Sequence, residues 1–200
     1  VWDVRQGKRL VTTAAAHGDS LTSVTFSPNG ALLLTTSQDG TARLWDANTG
    51  AAQRTLRHAT GGLTAARISR DGQRIATAGL NRTARLWEAK TGRLLATLTG
   101  HENAVKQLRF SADSRRLLTV SDDYTLRLWD AEHGGYLATY AGHVAHVGTA
   151  AFGPRGRYVV SGAHDNRVRL WKADLGVLRH QVARKANVAA LSADGRQVLL

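Results

Sequence analysis

Residues 37–46 read "SQDGTARLWD", and the reading of this stretch decides the fold. Asp39-Gly40 is a strong tight-turn dipeptide. Thr41-Ala42-Arg43-Leu44-Trp45 then alternates in the manner of a strand, with Arg43 facing away from Ala42 and Leu44. The phrase returns as "GLNRTARLWE" at 79–88, "SDDYTLRLWD" at 121–130 and "GAHDNRVRLWK" at 162–172. Trp2, Trp45, Trp87, Trp129 and Trp171 are separated by 43, 42, 42 and 42 residues. A fixed period of this length means one supersecondary unit copied several times.

The inside of a unit separates strands from helices. In "LTSVTFSPNGALLLTTSQDGTARLWD", residues 21–46, a short β-rich run ends at a turn signal, Pro28-Asn29-Gly30. Leu32 to Thr36 is a second apolar run of buried-strand character, and Thr41 to Trp45 a third. Asn48-Thr49-Gly50 turns the chain again before a weaker run ending at Thr55-Leu56. Four short strands fill the unit and leave no room for a long helix. The third unit reads the same way, closing through Gly134-Gly135 into "YLATY".

These residues resemble the WD-repeat β-propellers, whose phrase is "GHxxxVxxxxFSxDG…SxDxTxRLWD". The resemblance extends over essentially the whole chain, in four consecutive copies. It implies an all-β propeller of four-stranded antiparallel blades, with one strand of each sequence repeat lying in the next blade. The repeats run approximately over 5–46, 47–88, 89–130 and 131–172, with a partial unit at 173–200, in a single propeller segment spanning 1–200. "VWDV" and "RLVTTAA" read as third and fourth strands, and "ANVAALS" (186–192) and "RQVLL" (196–200) as first and second strands. The expectation is therefore four complete blades with two strands at each end: an open arc of a larger propeller, or alternatively a closed five-bladed ring. The chain contains no Met, even at position 1, and reads as a segment of something longer.

The resemblance also implies a hydrogen-bonded set in each blade. By matching position this is His17, Thr35, Asp39 and Trp45 in repeat one, and His101, Thr119, Asp123 and Trp129 in repeat three. In repeat four it is His143, Ser161, Asp165 and Trp171. Buried polar groups must be paired, and these side chains can pair with one another. Hydrolases use the same residue types, but a catalytic set occurs once per site and this one recurs in every unit, so no catalytic residue is assigned. Repeat two departs from the pattern. It keeps Thr77 and Trp87, has Asn81 in place of the turn Asp, and has Ala59 at the histidine's place with His58 one residue early. That blade is expected to lack the full set and to be less rigid.

Composition bounds the function. Apolar residues are 42% and charged residues 21%, a globular balance rather than a disordered one. No apolar run approaches membrane-spanning length, which argues against membrane insertion. Cys is absent, which removes disulfides, zinc–cysteine clusters and Cys nucleophiles. The formal charge is +12. That invites a polyanion reading, against an even basic bias over the surface. Arg43, Arg85, Arg127 and Arg169 occupy a position that is commonly basic in the family. Arg54, Arg57, Arg67, Arg70, Arg74, Arg82 and Arg93 are scattered, and Arg115-Arg116 and Arg155/Arg157 lie at turns between first and second strands. No aromatic side chains interleave with them as a stacking platform requires.

Specificity then rests on variable loop positions. In similar propellers, partners contact positions just after the His and just before the turn Asp. Those positions here are Ser20, Thr22 and Gln38; Thr64 and Leu80, with Gly62; Lys106 and Asp122, with Ala104; and His146 and His164, with Gly148. Lys185 and Asn187 extend the set. His146 and His164 raise a metal or pH-sensitive site, but without Cys or a matched outer shell no metal is assigned. The reading is a non-catalytic protein–protein interaction scaffold without cofactor. It would be cytoplasmic, of bacterial type, and the sensor or recruiting part of a larger signalling protein. The alternative is a basic surface that binds nucleic acid or another polyanion.

Overall fold

The computed structural model describes residues 2, 3, 5, 8, 9, 17–58, 60–183, 190, 191, 198 and 199. A two-residue strand pair, β1 (Trp2–Asp3) with β2 (Lys8–Arg9), precedes the first blade. Blade one is β3 (Leu21–Phe26), β4 (Leu32–Ser37), β5 (Thr41–Asp46) and β6 (Ala52–Arg57). Blade two is β7 (Leu63–Ile68), β8 (Arg74–Gly79), β9 (Ala84–Glu88) and β10 (Leu94–Leu98). Blade three is β11 (Val105–Phe110), β12 (Arg116–Ser121), β13 (Leu126–Asp130) and β14 (Tyr136–Tyr140). Blade four is β15 (Val147–Phe152), β16 (Tyr158–Ala163), β17 (Arg167–Lys172) and β18 (Val177–Ala183), and a pair β19 (Ala190–Leu191) with β20 (Val198–Leu199) follows. Each blade is an antiparallel meander hydrogen-bonded in sequence order.

The β1–β2 and β19–β20 pairs are sheets of their own, so the described residues form an arc and not a closed ring. The remainder of "VWDV", "RLVTTAA", "ANVAALS" and "RQVLL", together with Lys185 and Asn187, lies outside the described residues. No α-helix occurs among the described residues, and none is long and apolar enough to cross a membrane.

The burial of each strand follows from its place in the blade. Second strands are covered on both faces, in the two inner blades by a neighbouring blade on either side. β4, β8, β12 and β16 accordingly read as near-continuous apolar or small runs. Fourth strands are largely exposed. First strands of successive blades lie side by side at the inner edge. The core is not inside the blades but between them. Leu34, Leu44 and Leu56 of blade one pack with Leu63, Ile75 and Trp87 of blade two. Leu86 and Leu98 of blade two meet Leu108, Leu117 and Trp129 of blade three, and Leu118, Leu128 and Tyr140 of blade three meet Val147, Val159 and Trp171 of blade four. Each of these three tryptophans thus lies against the blade before its own. Burying so large a ring stabilises a joint by roughly 2–3 kcal/mol. The Tyr140 hydroxyl adds a bond of 2.5 Å to the Ala173 carbonyl across the last joint. In blade one the corresponding first-strand residues Leu21, Val24 and Phe26 are 62, 64 and 51% exposed, because no complete blade precedes them among the described residues.

Every blade has two register shifts, at matching places. One lies in the first strand, skipping Thr22, Thr64, Lys106 or Gly148, and one where the fourth strand passes the Trp. Bulges of this kind re-aim one side chain out of the ladder. The turn after the second strand needs a left-handed residue. It is Gly40 in blade one, with φ 78°, and Arg82, Tyr124 and Asn166 in the others, with φ 65°, 69° and 59°. The flanking strand pairs impose this conformation on side chains that rarely adopt it.

A buried hydrogen-bond network and the loop face above it

In blade one the Trp45 ring N–H donates to Thr35 Oγ1 at 2.9 Å. Thr35 Oγ1 lies 2.8 Å from His17 Nε2, and His17 Nδ1 lies 3.1 Å from Asp39 Oδ2. The inventory of donors and acceptors assigns the protons. The Thr oxygen already accepts from indole, so its own hydrogen goes to Nε2, and Nδ1–H goes to the carboxylate. With the protons so placed, every group of the set has a partner. Asp39 also accepts from the Gly18 backbone N–H. Blade three repeats the geometry: Trp129 to Thr119 at 3.0 Å, Thr119 to His101 at 2.7 Å and His101 to Asp123 at 2.7 Å. Blade four uses Ser161, at 2.8 Å from both the Trp171 ring N–H and His143 Nε2, with Asp165 2.9 Å from His143 Nδ1.

The carboxylates stay ionised although they are removed from water. Burial works against ionised Asp39, but the Thr41 hydroxyl, the Gly18 and Thr41 amides and His17 outweigh it, holding the carboxyl well below the usual range. Burial opposes ionisation of Asp123 in the same way and is outweighed by His101, Thr125 and the Glu102 amide. For Asp165, burial is outweighed by Arg169 and His143, which bring the carboxyl to about 2.

Blade two differs from the reading of its sequence. His58, not Ala59, takes the histidine's place: His58 Nε2 lies 2.7 Å from Thr77 Oγ1, which accepts the Trp87 ring N–H at 2.8 Å. Ala59 is outside the described residues. The loop between the histidine and the first strand is one residue longer here, which shifts the histidine back along the sequence without moving it in space. Beyond His58 the chain of bonds stops. Asn81 Oδ1 accepts from the Thr83 hydroxyl at 2.9 Å, and His58 Nδ1 is buried with no hydrogen-bond partner. Burial, reinforced by the positive Arg85 and only partly offset by Asn81, pushes the His58 imidazole down to about 4. A blade with an unsatisfied buried group should open more readily, so amides of 59–88 are expected to exchange faster than those of 101–130. Equal protection in a native-state hydrogen-exchange experiment would rule this out.

Two participants escaped the sequence reading. Thr41 and Thr125 donate to the turn carboxylates at 2.6 and 2.7 Å, and Thr41 Oγ1 also lies 2.9 Å from His17 Nδ1. Their signal was visible: a Thr recurs two places after the turn residue in three repeats. In the fourth that place is Arg167. There Arg169 Nη1 instead bonds Asp165 at 2.8 Å and touches His143 Nδ1. The arginine that is half-buried at this place in the other blades is here a buried member of the network.

The loop positions come together above these networks. Backbone bonds of 2.9 Å join Gln38 to Ser20, Leu80 to Gly62, Asp122 to Ala104 and His164 to His146, the same bond in each blade. Thr22, Gln38, Thr64, Leu80 and Lys106, with Leu63, line a shallow recess of about 250 Å³ where three blades meet. Asp122 pairs with Lys106 at 3.4 Å and with His146 Nδ1 at 3.3 Å, while His164 stands beside His146 with ring centres 6.4 Å apart. Among the described residues, no group of three or more acidic or histidine side chains is placed to hold a metal.

Four-stranded meanders with interblade cores, each tied by a Trp–hydroxyl–His chain, define a β-propeller repeat protein. The chain belongs to the WD-repeat family: the family model described as "WD domain, G-beta repeat" matches residues 8–46, 50–88, 92–130 and 134–172. It is similar to Protein tipD of Dictyostelium discoideum, 45% identical over 56 residues, covering 28% of this chain and 9% of that protein. It is 46% identical over 50 residues to a guanine nucleotide-binding protein subunit beta of Zea mays, covering 25% of this chain and 13% of that protein. It is 40% identical over 55 residues to THO complex subunit 6 of Arabidopsis thaliana, covering 28% and 15%. The chain thus matches only a small part of the length of these relatives, and they are eukaryotic, which gives the bacterial-type reading no support. WD-repeat proteins in general serve as protein-interaction scaffolds rather than catalysts.

Proposed function

We propose that the chain is a non-catalytic docking module that recruits a protein partner on its loop face, within a larger cytoplasmic signalling or regulatory protein. The observation that carries this is the division of labour along each repeat. The polar residues with catalytic potential are consumed internally. Thr35, Thr77, Thr119 and Ser161 are buried and accept the tryptophan N–H, so none is a reachable nucleophile. The residues that vary from repeat to repeat sit one step outward, at the same place in every blade, and combine an exposed apolar side chain, Leu80, with polar neighbours. That mixture suits a protein interface.

The test is an association measurement on the full-length protein with whatever partner a photo-crosslinker placed at Leu80 captures. Leu80→Asp should weaken that association about tenfold or more without lowering the thermal midpoint. Unchanged affinity, or an equal yield from a crosslinker placed at Thr97 on β10, would reject the loop face.

A further inference from the structure

The basic charge is not spread evenly, and one part of it breaks the rule of its own repeat. In blades one to three the turn between first and second strands is closed from within. The Ser27, Ser69 and Ser111 hydroxyls donate to Asn29, Asp71 and Asp113 at 2.7, 2.6 and 2.5 Å. In blade four the serine is replaced by Gly153 and the acid by Arg155. The turn, a short 3-10 segment at Pro154–Gly156, holds Arg155 itself at φ 58° and Gly156 at φ 62°. A non-glycine residue kept in the left-handed region, at a place where the other blades use an acceptor, gives up local stability, which marks a candidate site.

Across the joint, Arg116 of blade three lies 5.6 Å over the Phe152 ring and against Gly156, where any side chain would collide with its guanidinium. Arg116, Arg155, Arg157 and Lys172 surround a recess of about 450 Å³ that contains a single carboxylate, Asp174, itself 3.9 Å from Lys172. No carboxylate lies within ion-pair distance of the three arginines among the described residues.

We propose that this recess binds a phosphate monoester carried on a side chain of a partner protein, with Arg155 and Arg116 as its two forks. Guanidinium groups match phosphate oxygens two at a time, and Arg116 is already ordered by its ring and backbone contacts. A discrete cup rather than a continuous stripe favours one clustered dianion over a nucleic-acid backbone. The lining also offers no exposed ring for base stacking, since Arg116 covers Phe152 and Tyr158 is half-buried. The site lies at the end of the blades opposite the loop face, and it stands whether or not the loop-face reading holds.

Fluorescence anisotropy with the full chain tests it, using a short labelled peptide of neutral residues with one phosphoserine, its unphosphorylated twin, and oligothymidylate. The phosphopeptide should bind at least about tenfold more tightly than its twin. Arg155→Asp should remove that preference while leaving the thermal midpoint unchanged, because Arg155 is exposed and aspartate tolerates the left-handed backbone of this turn. Arg116→Met, which keeps packing on Phe152, should weaken binding comparably, and Leu80→Asp should leave it unchanged. Equal binding of the two peptides, or an unaffected Arg155→Asp variant, would overturn the site. Oligothymidylate binding more tightly than the phosphopeptide would overturn the class of partner.

Discussion

Replacing His101 by alanine is expected to destabilise the protein by about 3–4 kcal/mol, against about 1–2 kcal/mol for His58→Ala. Both histidines are buried and both hold a threonine hydroxyl at 2.7 Å. They differ in what stands behind Nδ1. Truncating His101 leaves Asp123, whose side chain is only 7% exposed, short of one donor while still ionised. The Thr125 hydroxyl and the Glu102 amide remain, but the compensation that held the carboxyl well below the usual range is reduced. Truncating His58 strands no carboxylate, and it removes an imidazole nitrogen that already lacked a partner. Urea unfolding of the two variants gives the comparison directly. Equal losses would mean that the carboxylate contributes nothing to the network.

The second large effect is a dependence on pH that one substitution should reduce, leaving only the smaller share of His143, whose imidazole is also held below its ordinary value by burial. The unfolded His58 imidazole takes up a proton near 6.5, the folded one only near 4. Between those values the unfolded chain binds more protons, so stability present above pH 6.5 is lost as the pH falls toward 4. The full difference is roughly 3 kcal/mol. Asn81→Asp should reduce this loss, since a carboxylate at that place lies within 2.7–3.1 Å of Nδ1 in the other three blades. The new acceptor is also expected to stabilise the protein by about 1–3 kcal/mol at neutral pH. Thermal midpoints of both forms, followed from pH 7 to 4, check it. A wild-type midpoint that is flat over this range, or one that falls equally in the variant, would refute the account.

Much of this architecture was legible because it is local. A 42-residue period, a turn dipeptide, and a Trp preceded by an alternating strand specify four-stranded blades without knowledge of any distant contact. The pairing of His17, His101 and His143 with their turn acids was legible through the family resemblance, which carries over position by position because one unit contains both partners. The misplacement of the histidine in repeat two shows the limit. Alignment by number pointed to Ala59, whereas the position is defined by what can reach Thr77, and an extra loop residue moves the number but not the place. The role of Arg169 was not legible for a related reason. Its spacing is that of Arg43, Arg85 and Arg127, but with Arg167 in place of the turn threonine the guanidinium finds Asp165 within reach.

The sequence alone determined the repeat and the strand pattern, because these depend on contacts within one unit and on the two-residue period of a strand; the residues that tie each blade followed from the family resemblance. Only the tertiary structure decided that the core lies between blades and that Trp87, Trp129 and Trp171 serve the blade before their own. It alone placed Arg116 against Gly156 across the last joint, so that basic residues scattered in the chain line one cationic recess. These depend on how separate sheets stack, and sheet stacking leaves no periodicity in the chain to be read.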